Sequence, residues 1–324
     1  MIAALTRATV MWLLAMVACA VWTPTRAAAQ LRVRDAAQSG AWREWWRPAQ
    51  AQVRWTAPHP AITAALHWRA MSPGVEMAEL SLSSSGEAWR IRAVLVRIDP
   101  ARVRLVLDAD IGDDGSIRPW TVSATPDARR ASLALNAGQF TDAGPWGWLV
   151  HEGRELQAPG SGSLAGAVTV DSSGRIRVLD ADTITAVRTT AARLQVVEAV
   201  QSYPMLLQKG GVTPRALRPA RHDTRTAGVN LEHRDARLAV GELRDGRIVI
   251  ALTRFDALGS LLGAVPFGLT VPEMSALMGA VGCTRALMLD GGISAQLAVA
   301  DQHGARREWT GLRRVPLGLV ATPR

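Results

Sequence analysis

Four short segments of this 324-residue sequence place polar side chains and glycine at the ends of apolar runs. They are residues 136–140 (NAGQF), 201–207 (QSYPMLL), 225–228 (RTAG) and 289–297 (LDGGISAQL). Asn or Asp before glycine is an ordinary turn former, so each segment alone could be a simple corner. Four of them at strand ends instead predict that a rigid scaffold gathers polar groups around one cleft.

Asp290 is the best candidate for a catalytic carboxylate, because it ends an apolar run and two glycines follow it. Glycine lets the backbone approach a ligand closely. We therefore expect Asp290 to act as a general base or as a nucleophile; the alternative is that it only orders the turn. The amides of Gly291 and Gly292 would form an anion-binding nest, and Ser294 would donate a hydrogen bond to the same anion.

The four segments resemble those of the phosphodiester glycosidase family, and this resemblance implies that Arg225 binds a phosphate, because a planar guanidinium binds two phosphate oxygens at once. The alternative is a surface arginine without that role. Asn136 and Gln201 would bind sugar hydroxyls or phosphate through neutral hydrogen bonds. Gly138 and Thr226 belong to the same segments and are expected to line the same substrate site.

Taken in order, the four segments resemble the phosphodiester glycosidase family, and the likeness runs from Gly74 to Val320. It includes Arg-Ile-Asp-Pro at 97–100. The sequence departs from the family at Tyr203 and Ile293, where glycine is common, and this affects the details of substrate binding. The resemblance implies a hydrolase that cleaves the bond between the anomeric carbon of a sugar and a phosphate, with no required cofactor.

Most glycosidases use two carboxyl groups, one to protonate the leaving oxygen and one to activate water or attack. A phosphate leaves readily, so that electrostatic stabilisation by an arginine replaces part of the acid's work. The sequence leaves the second carboxylate open, and four residues lie near a motif: Asp142, Glu152, Glu198 and Asp223.

Metal-binding residues cannot be assigned from the sequence. The six histidines are spread out without the spacing of zinc ligands, which argues against a zinc site. Acidic and carbonyl oxygens are the ligands that calcium prefers, so calcium stays open.

The first 29 residues have the features of a signal peptide: Arg7, an apolar run over 8–18 and small residues at 27–29. The run is too short for a permanent transmembrane anchor, and no later segment is predicted to span a membrane. We expect an exported protein, periplasmic or extracellular. Lipoprotein processing at Cys19 is the less favoured alternative, because Met16 stands where such signals usually have Leu.

The chain carries 37 basic and 28 acidic residues, a net charge of +9, and Lys209 is its only lysine. The arginines are scattered singly, which argues against a nucleic-acid partner. An anionic substrate such as a phosphorylated glycan is compatible with this charge. Cys283, the only cysteine left after removal of the leader, is expected to be a buried apolar residue without a disulfide partner.

Residues 30–72 carry a cluster of tryptophans and are interpreted as an N-terminal leader or docking segment whose tryptophans pack on the main body. From residue 73 to 324, short alternating runs predict many strands. One helix is predicted from the cap at Thr270 to Val281. The predicted fold class is α+β, with strand-rich mixed sheets, a few helices and a single catalytic domain.

Two other functions are alternatives: a serine hydrolase and a non-catalytic binding protein. Gly292–Ser294 matches half of the nucleophile elbow of serine hydrolases, but Gln296 occupies the place of its second glycine. A strand-rich exported domain with many tryptophans could also bind a cell-wall glycan or phosphate polymer without catalysis. A P-loop enzyme is excluded, because no Gly-rich stretch ends in Gly-Lys-Ser or Gly-Lys-Thr.

Overall fold

The computed structural model describes residues 31–36, 40–48, 52–84, 90–109, 117–142, 144–218, 225–226, 229–256 and 267–324, so the expected signal peptide and Cys19 lie outside it. The strands are β1 (Leu31–Asp35), β2 (Arg43–Trp46), β3 (Arg69–Ser72), β4 (Val75–Ser84), β5 (Arg90–Ile98), β6 (Val103–Asp108), β7 (Leu133–Asn136), β8 (Phe140–Thr141), β9 (Gly144–Pro145), β10 (Leu149–His151), β11 (Arg154–Gln157), β12 (Gly166–Asp171), β13 (Ile176–Asp180), β14 (Val196–Ser202), β15 (Met205–Leu207), β16 (Arg225–Thr226), β17 (Val229–Asn230), β18 (Arg237–Leu243), β19 (Ile248–Phe255), β20 (Cys283–Met288), β21 (Leu297–Ala300), β22 (Arg306–Trp309) and β23 (Gly318–Pro323). The helices are α1 (Pro60–Ala65), α2 (Pro126–Arg130), α3 (Ala181–Arg188) and α4 (Val271–Val281), with 3₁₀ turns at Ala191–Gln195, Arg215–Leu217 and Gly292–Ser294.

The strands form three large sheets. The nine-stranded sheet has the order β15-β20-β18-β19-β5-β4-β1-β2, with β3 paired to β4. The β14 sheet has the order β11-β10-β14-β12-β13, and the β7 sheet has the order β22-β21-β7-β23-β6. Two short pairs, β8–β9 and β16–β17, complete the strands.

The strand-rich α+β class is confirmed, but the expectation of mixed sheets is wrong: every pair among the described strands is antiparallel. Short turns account for the hairpins among these pairs, because a two-residue connection can join only antiparallel neighbours. The hairpins predicted at residues 171–174 and 244–246 are both present, as β12–β13 and β18–β19.

The nine-stranded sheet is buried on both faces. On one face, residues such as Val96 pack with Leu135 of the β7 sheet and Val168 of the β14 sheet. On the other face, Leu95 packs with Leu277 of α4. Because both faces are covered, β5 has a nearly continuous apolar sequence over Ala93–Val96 rather than strict alternation.

Helix α4 has the boundaries that the sequence predicts. The Thr270 hydroxyl accepts from the Glu273 amide, and the Glu273 carboxylate accepts from the Thr270 amide, which forms a capping box. Gly282 ends the helix with φ 106°, a left-handed conformation that glycine adopts without strain. Directly after it, Cys283 is buried at the start of β20, and burial raises the pKa of its thiol.

The N-terminal segment joins the main body as edge strands. β1 pairs with β4 and β2 pairs with β1, which extends the nine-stranded sheet. Trp45, Trp46 and Trp55 are buried in the core on the α4 face of that sheet, as their packing interpretation predicted. A domain boundary at residue 73 stays a prediction.

Candidate functional site

Asp290 lies where the chain leaves the nine-stranded sheet and enters the β7 sheet. It follows β20 and precedes β21, and its carboxyl group is largely shielded from solvent. Burial away from water raises the pKa of Asp290 to about 6. This carboxyl group therefore changes its protonation state near neutral pH, as a catalytic acid or base must.

Asp235 is a second carboxylate whose charge acts on Asp290, and it was not among the residues predicted from the sequence. β18 and β20 are antiparallel neighbours, so the start of β18 and the end of β20 lie at the same end of the sheet. Gly292, with φ 60°, lies against Asp235: a Cβ at this position would be 2.9 Å from Oδ2 of Asp235. Burial raises the pKa of Asp235, and its negative charge adds to the rise at Asp290.

The residues after Asp290 act on its carboxylate. The Ser294 hydroxyl and the Gly291 amide both lower the pKa of Asp290 against the effect of burial. The Gly292 amide donates to the Ala236 carbonyl at 2.8 Å. The Gly292 amide is therefore already bonded within the protein, and Ser294 is 2% exposed. The anion nest and the hydrogen bond from Ser294 to an anion stay predictions.

Asn136 ties β7 to the Asp290 loop with both ends of its side chain. Nδ2 donates to the Asp290 carbonyl and Oδ1 accepts from the Gln296 amide, both at 2.8 Å. The residue is 1% exposed. Its amide is therefore bonded to backbone groups and holds the Asp290 loop; its contact with a sugar hydroxyl or phosphate stays a prediction.

Gln201 is also occupied by backbone groups. Its Oε1 accepts from the amides of Trp148 and Gly160 at 2.6 and 2.8 Å, and its Nε2 donates to the Gly160 carbonyl at 3.0 Å. A Cβ on Gly138 would lie 2.2 Å from the Gln201 carbonyl oxygen. Gly138 is therefore required for close packing of the 136–140 turn against β14. The predicted roles of Gln201 and Gly138 in substrate binding stay predictions.

Arg225 and Thr226 form β16, but their side chains lie outside the described part of the structure, so their predicted roles stay predictions. Arg313, which the sequence analysis did not single out, is the described arginine whose charge acts on Asp290 and lowers its pKa. Its guanidinium carbon lies 4.5 Å from the centre of the Phe140 ring, a cation–π contact, and the residue is exposed.

Three of the four residues considered for the second carboxylate lie in the described part of the structure. Glu198 is buried in β14 and pairs with His151 at 3.0 Å, which raises the pKa of His151. Asp142 and Glu152 are exposed in turns, and Asp223 lies outside the described residues.

A cavity of about 200 Å³ has two aromatic side chains in its wall. Trp146 and Tyr203 meet edge to face with ring centres 5.0 Å apart. Burial raises the pKa of Tyr203, and the charge of Asp290 adds to that rise, which places the cavity close to Asp290. The cavity is lined by Trp146, Ser161, Gly162, Leu164, Ala165, Tyr203 and Pro204.

A larger cavity of about 420 Å³ lies towards the start of β20, where Arg285 contributes to its wall. At a rise of about 3.3 Å per residue, Arg285 and Asp290 are separated by roughly 16 Å. Asp245 in this cavity is held by Arg247, whose hydrogen bonds lower the pKa of Asp245. An ionised, paired carboxylate is less suited to proton transfer than Asp290, so the Asp290 cleft is the better candidate.

Metal-ligand clusters and membrane-spanning helices can be assessed for the described ranges. Within them, no three His, Cys, Asp or Glu side chains are grouped closely enough to hold a metal ion. Over the same residues, no helix is both long and apolar enough to cross a bilayer.

Comparison with known proteins gives one family and several similar structures. The model of the phosphodiester glycosidase family matches residues 129–322, more than half of the chain. No curated protein matches. The catalytic domain of zebrafish N-acetylglucosamine-1-phosphodiester alpha-N-acetylglucosaminidase, auto-inhibited by its pro-peptide, is similar in fold with a TM-score of 0.58 and 16% identity. The match covers 93% of this chain and 96% of the zebrafish chain.

Two bacterial structures are similar at lower scores. A Burkholderia pseudomallei protein proposed to be exported has a TM-score of 0.52 and 13% identity, over 80% of this chain and 96% of its own. A Synechocystis protein of unknown function has a TM-score of 0.50 and 14% identity, over 78% of this chain and 62% of its own. At these identities the likeness concerns the fold alone.

Proposed function

Because this chain belongs to the phosphodiester glycosidase family, we propose that it hydrolyses the bond between the anomeric carbon of a sugar and a phosphodiester. The observation that carries the proposal is the pair Asp235 and Asp290. These two carboxyl groups have raised pKa values and lie at the same end of the nine-stranded sheet. Arg313 and an aromatic cavity lie beside this pair.

The paired carboxyl groups suit the proton transfers of glycoside hydrolysis. Burial raises the pKa of both carboxyl groups, and the charge of Asp235 adds to the rise at Asp290, so a proton is retained at the site to higher pH than on a free carboxylate. One ionised and one protonated group are what the reaction needs, to activate water or attack the anomeric carbon and to protonate the leaving oxygen. Ser294 and Asn136 hold Asp290 and its loop in place for this step.

Arg313 supplies the positive charge that a phosphate leaving group requires. Its guanidinium rests on the Phe140 ring, which restricts its position while leaving the donor groups exposed. Negative charge that develops on the departing phosphate is stabilised by such a fixed cation. Arg225 is proposed as a further phosphate contact from β16. Trp146 and Tyr203 would contact the apolar face of the sugar ring.

The substrate is proposed to be a phosphorylated glycan outside the cytoplasm. Support comes from the signal-peptide pattern of the first 29 residues and from the similarity to a Burkholderia protein proposed to be exported. The sugar-1-phosphodiester class is supported by the family and by the name of the similar zebrafish enzyme.

The test measures sugar release from a synthetic sugar-1-phosphate methyl diester by the purified chain. We expect Asp290→Asn and Asp235→Asn each to lower kcat/KM by at least about a hundredfold, the usual effect of losing a general acid or base. Asp182→Asn, an exposed carboxylate on α3, is the matched control and should keep full activity.

Circular dichroism checks that each variant is folded. If both site variants hydrolyse the diester like the parent, the assignment of the carboxylate pair is wrong. Tight binding of the diester without sugar release by the parent would support a non-catalytic glycan-binding protein instead.

A further inference from the structure

Two exposed aliphatic residues, Ile293 and Leu312, are neighbours in the loops near Asp290, and we call them the apolar edge. Ile293 is 45% exposed and Leu312 is 59% exposed, and the Leu312 amide donates to the Ile293 carbonyl at 2.7 Å. The exposed large hydrophobic side chains of the described residues are Val53, Leu194, Ile293 and Leu312. Isolated exposed hydrophobics are common on proteins, whereas adjacent ones at a cleft indicate a binding surface.

This apolar edge lies on the phosphate side of the proposed site. Ile293 is three residues after Asp290, and Leu312 directly precedes Arg313. The Arg313 amide also donates to the Ile293 carbonyl, at 3.3 Å. The charge of Arg313 acts on Asp290, so the cation, the carboxylate and the apolar edge belong to one patch of surface.

The two loops that carry the edge are held together closely. A Cβ on Gly311 would lie 3.0 Å from the Ile293 carbonyl oxygen and 3.1 Å from that of Ser294. The buried Gln296 side chain donates to the carbonyls of Ser294 and Arg313 at 3.4 and 3.3 Å. The exposure of the two aliphatic side chains is therefore part of a preformed surface.

We propose that this edge binds an alkyl or acyl chain carried by the phosphate, so that the substrate class is a lipid-linked sugar phosphodiester. This inference rests on the proposed function. A phosphate next to an apolar chain is complementary to Arg313 next to Ile293 and Leu312. A purely polar glycan would gain little from two aliphatic side chains, whereas each methylene group moved out of water favours binding.

The experiment compares kcat/KM for methyl and dodecyl diesters of the same sugar 1-phosphate, below the micelle concentration of the dodecyl diester. The parent chain should prefer the dodecyl diester by about tenfold or more, the effect of burying two or more methylene groups. The double variant Ile293→Ser/Leu312→Ser should reduce this preference to within about twofold. Leu194→Ser, which removes an 83% exposed leucine elsewhere, is the matched control and should keep the parent's preference.

The outcomes separate this inference from the proposed function. If the parent chain hydrolyses neither diester, the proposed function itself is contradicted. Equal kcat/KM for both diesters in the parent, or an unchanged preference in the double variant, overturns the lipid-linked substrate while leaving the hydrolase intact. An equal loss of preference in Leu194→Ser overturns the assignment to this edge. Self-association that the double variant abolishes, with no chain-length preference in the parent, would assign the edge to a second copy and overturn the inference.

Discussion

At the scale of single residues, the protonation of Asp290 is set by opposing influences that can be changed one at a time. Burial raises its pKa to about 6, and the neighbouring charge of Asp235 adds to the rise. The Ser294 hydroxyl, the charge of Arg313 and the Gly291 amide act in the opposite direction. Substitutions at Asp235 and Arg313 should therefore move the same pKa in opposite directions.

We expect Asp235→Asn to lower the pKa of Asp290 and Arg313→Ala to raise it. The first change removes a negative charge that disfavours ionisation, and the second removes a positive charge that favours it. Titration of the Asp290 carboxyl carbon by NMR measures both without depending on activity. Shifts of the same sign in the two variants would contradict the proposed arrangement.

Among these residues, the sequence was informative only where the signal is local. Asp290 could be identified because a buried strand, a carboxylate and two glycines follow one another along the chain. Asp235 could not, because its relation to Asp290 depends on the pairing of β18 with β20, which are 40 residues apart. Arg313 follows no predicted strand and belongs to the site only through the close approach of two loops.

At the scale of elements, the Asp290 loop depends on a side chain from another sheet. Asn136→Ala would leave the Asp290 carbonyl and the Gln296 amide without their side-chain partner. We expect a loss of about 3 kcal/mol in the free energy of unfolding, since each buried unpaired group costs about 1–3 kcal/mol. Urea denaturation measures the loss. Asn230→Ala, the same change at an exposed residue of β17, should cost less than about 1 kcal/mol and serves as the control.

The contact between α4 and the N-terminal segment gives a second prediction. A Cβ on Gly279 would lie 2.3 Å from the Trp55 ring, so Gly279→Ala should destabilise the protein by about 1–2 kcal/mol. Helix propensity alone predicts the opposite sign, a gain of about 1 kcal/mol. In a Trp55→Ala background the same change should be neutral or stabilising, as thermal unfolding of the four chains would show. A stabilising effect in the parent background would contradict this contact.

At the scale of the whole molecule, the elements were predictable and their assembly was not. Alternating runs indicated strands such as β4 and β5, and the caps of α4 gave its boundaries. The pairing that places β1 and β2 at the edge of the nine-stranded sheet depends on contacts between distant residues, which a short alternating sequence does not specify. For this reason residues 30–72 were interpreted as a separate leader.

Burial of the Asp290 carboxyl group should also affect the free energy of unfolding. The folded pKa of Asp290, about 6, lies above its usual value of 3.8. The native state therefore binds an extra proton between these values, and stability falls as pH rises from about 4 to 6. Asp290→Asn should be more stable than the parent above pH 6, by on the order of 2 kcal/mol, with the difference shrinking towards pH 4. Denaturant titrations at several pH values measure this; a pH-independent difference would contradict the raised pKa.

Cys283 also gives this protein a built-in reporter. The thiol is buried at one end of β20, and Asp290 follows the other end of the same strand. A thiol reagent can react only when this strand opens. In the chain without the first 29 residues, which include Cys19, the labelling rate of Cys283 therefore measures how often the strand that precedes Asp290 separates from its neighbours, without any engineered probe.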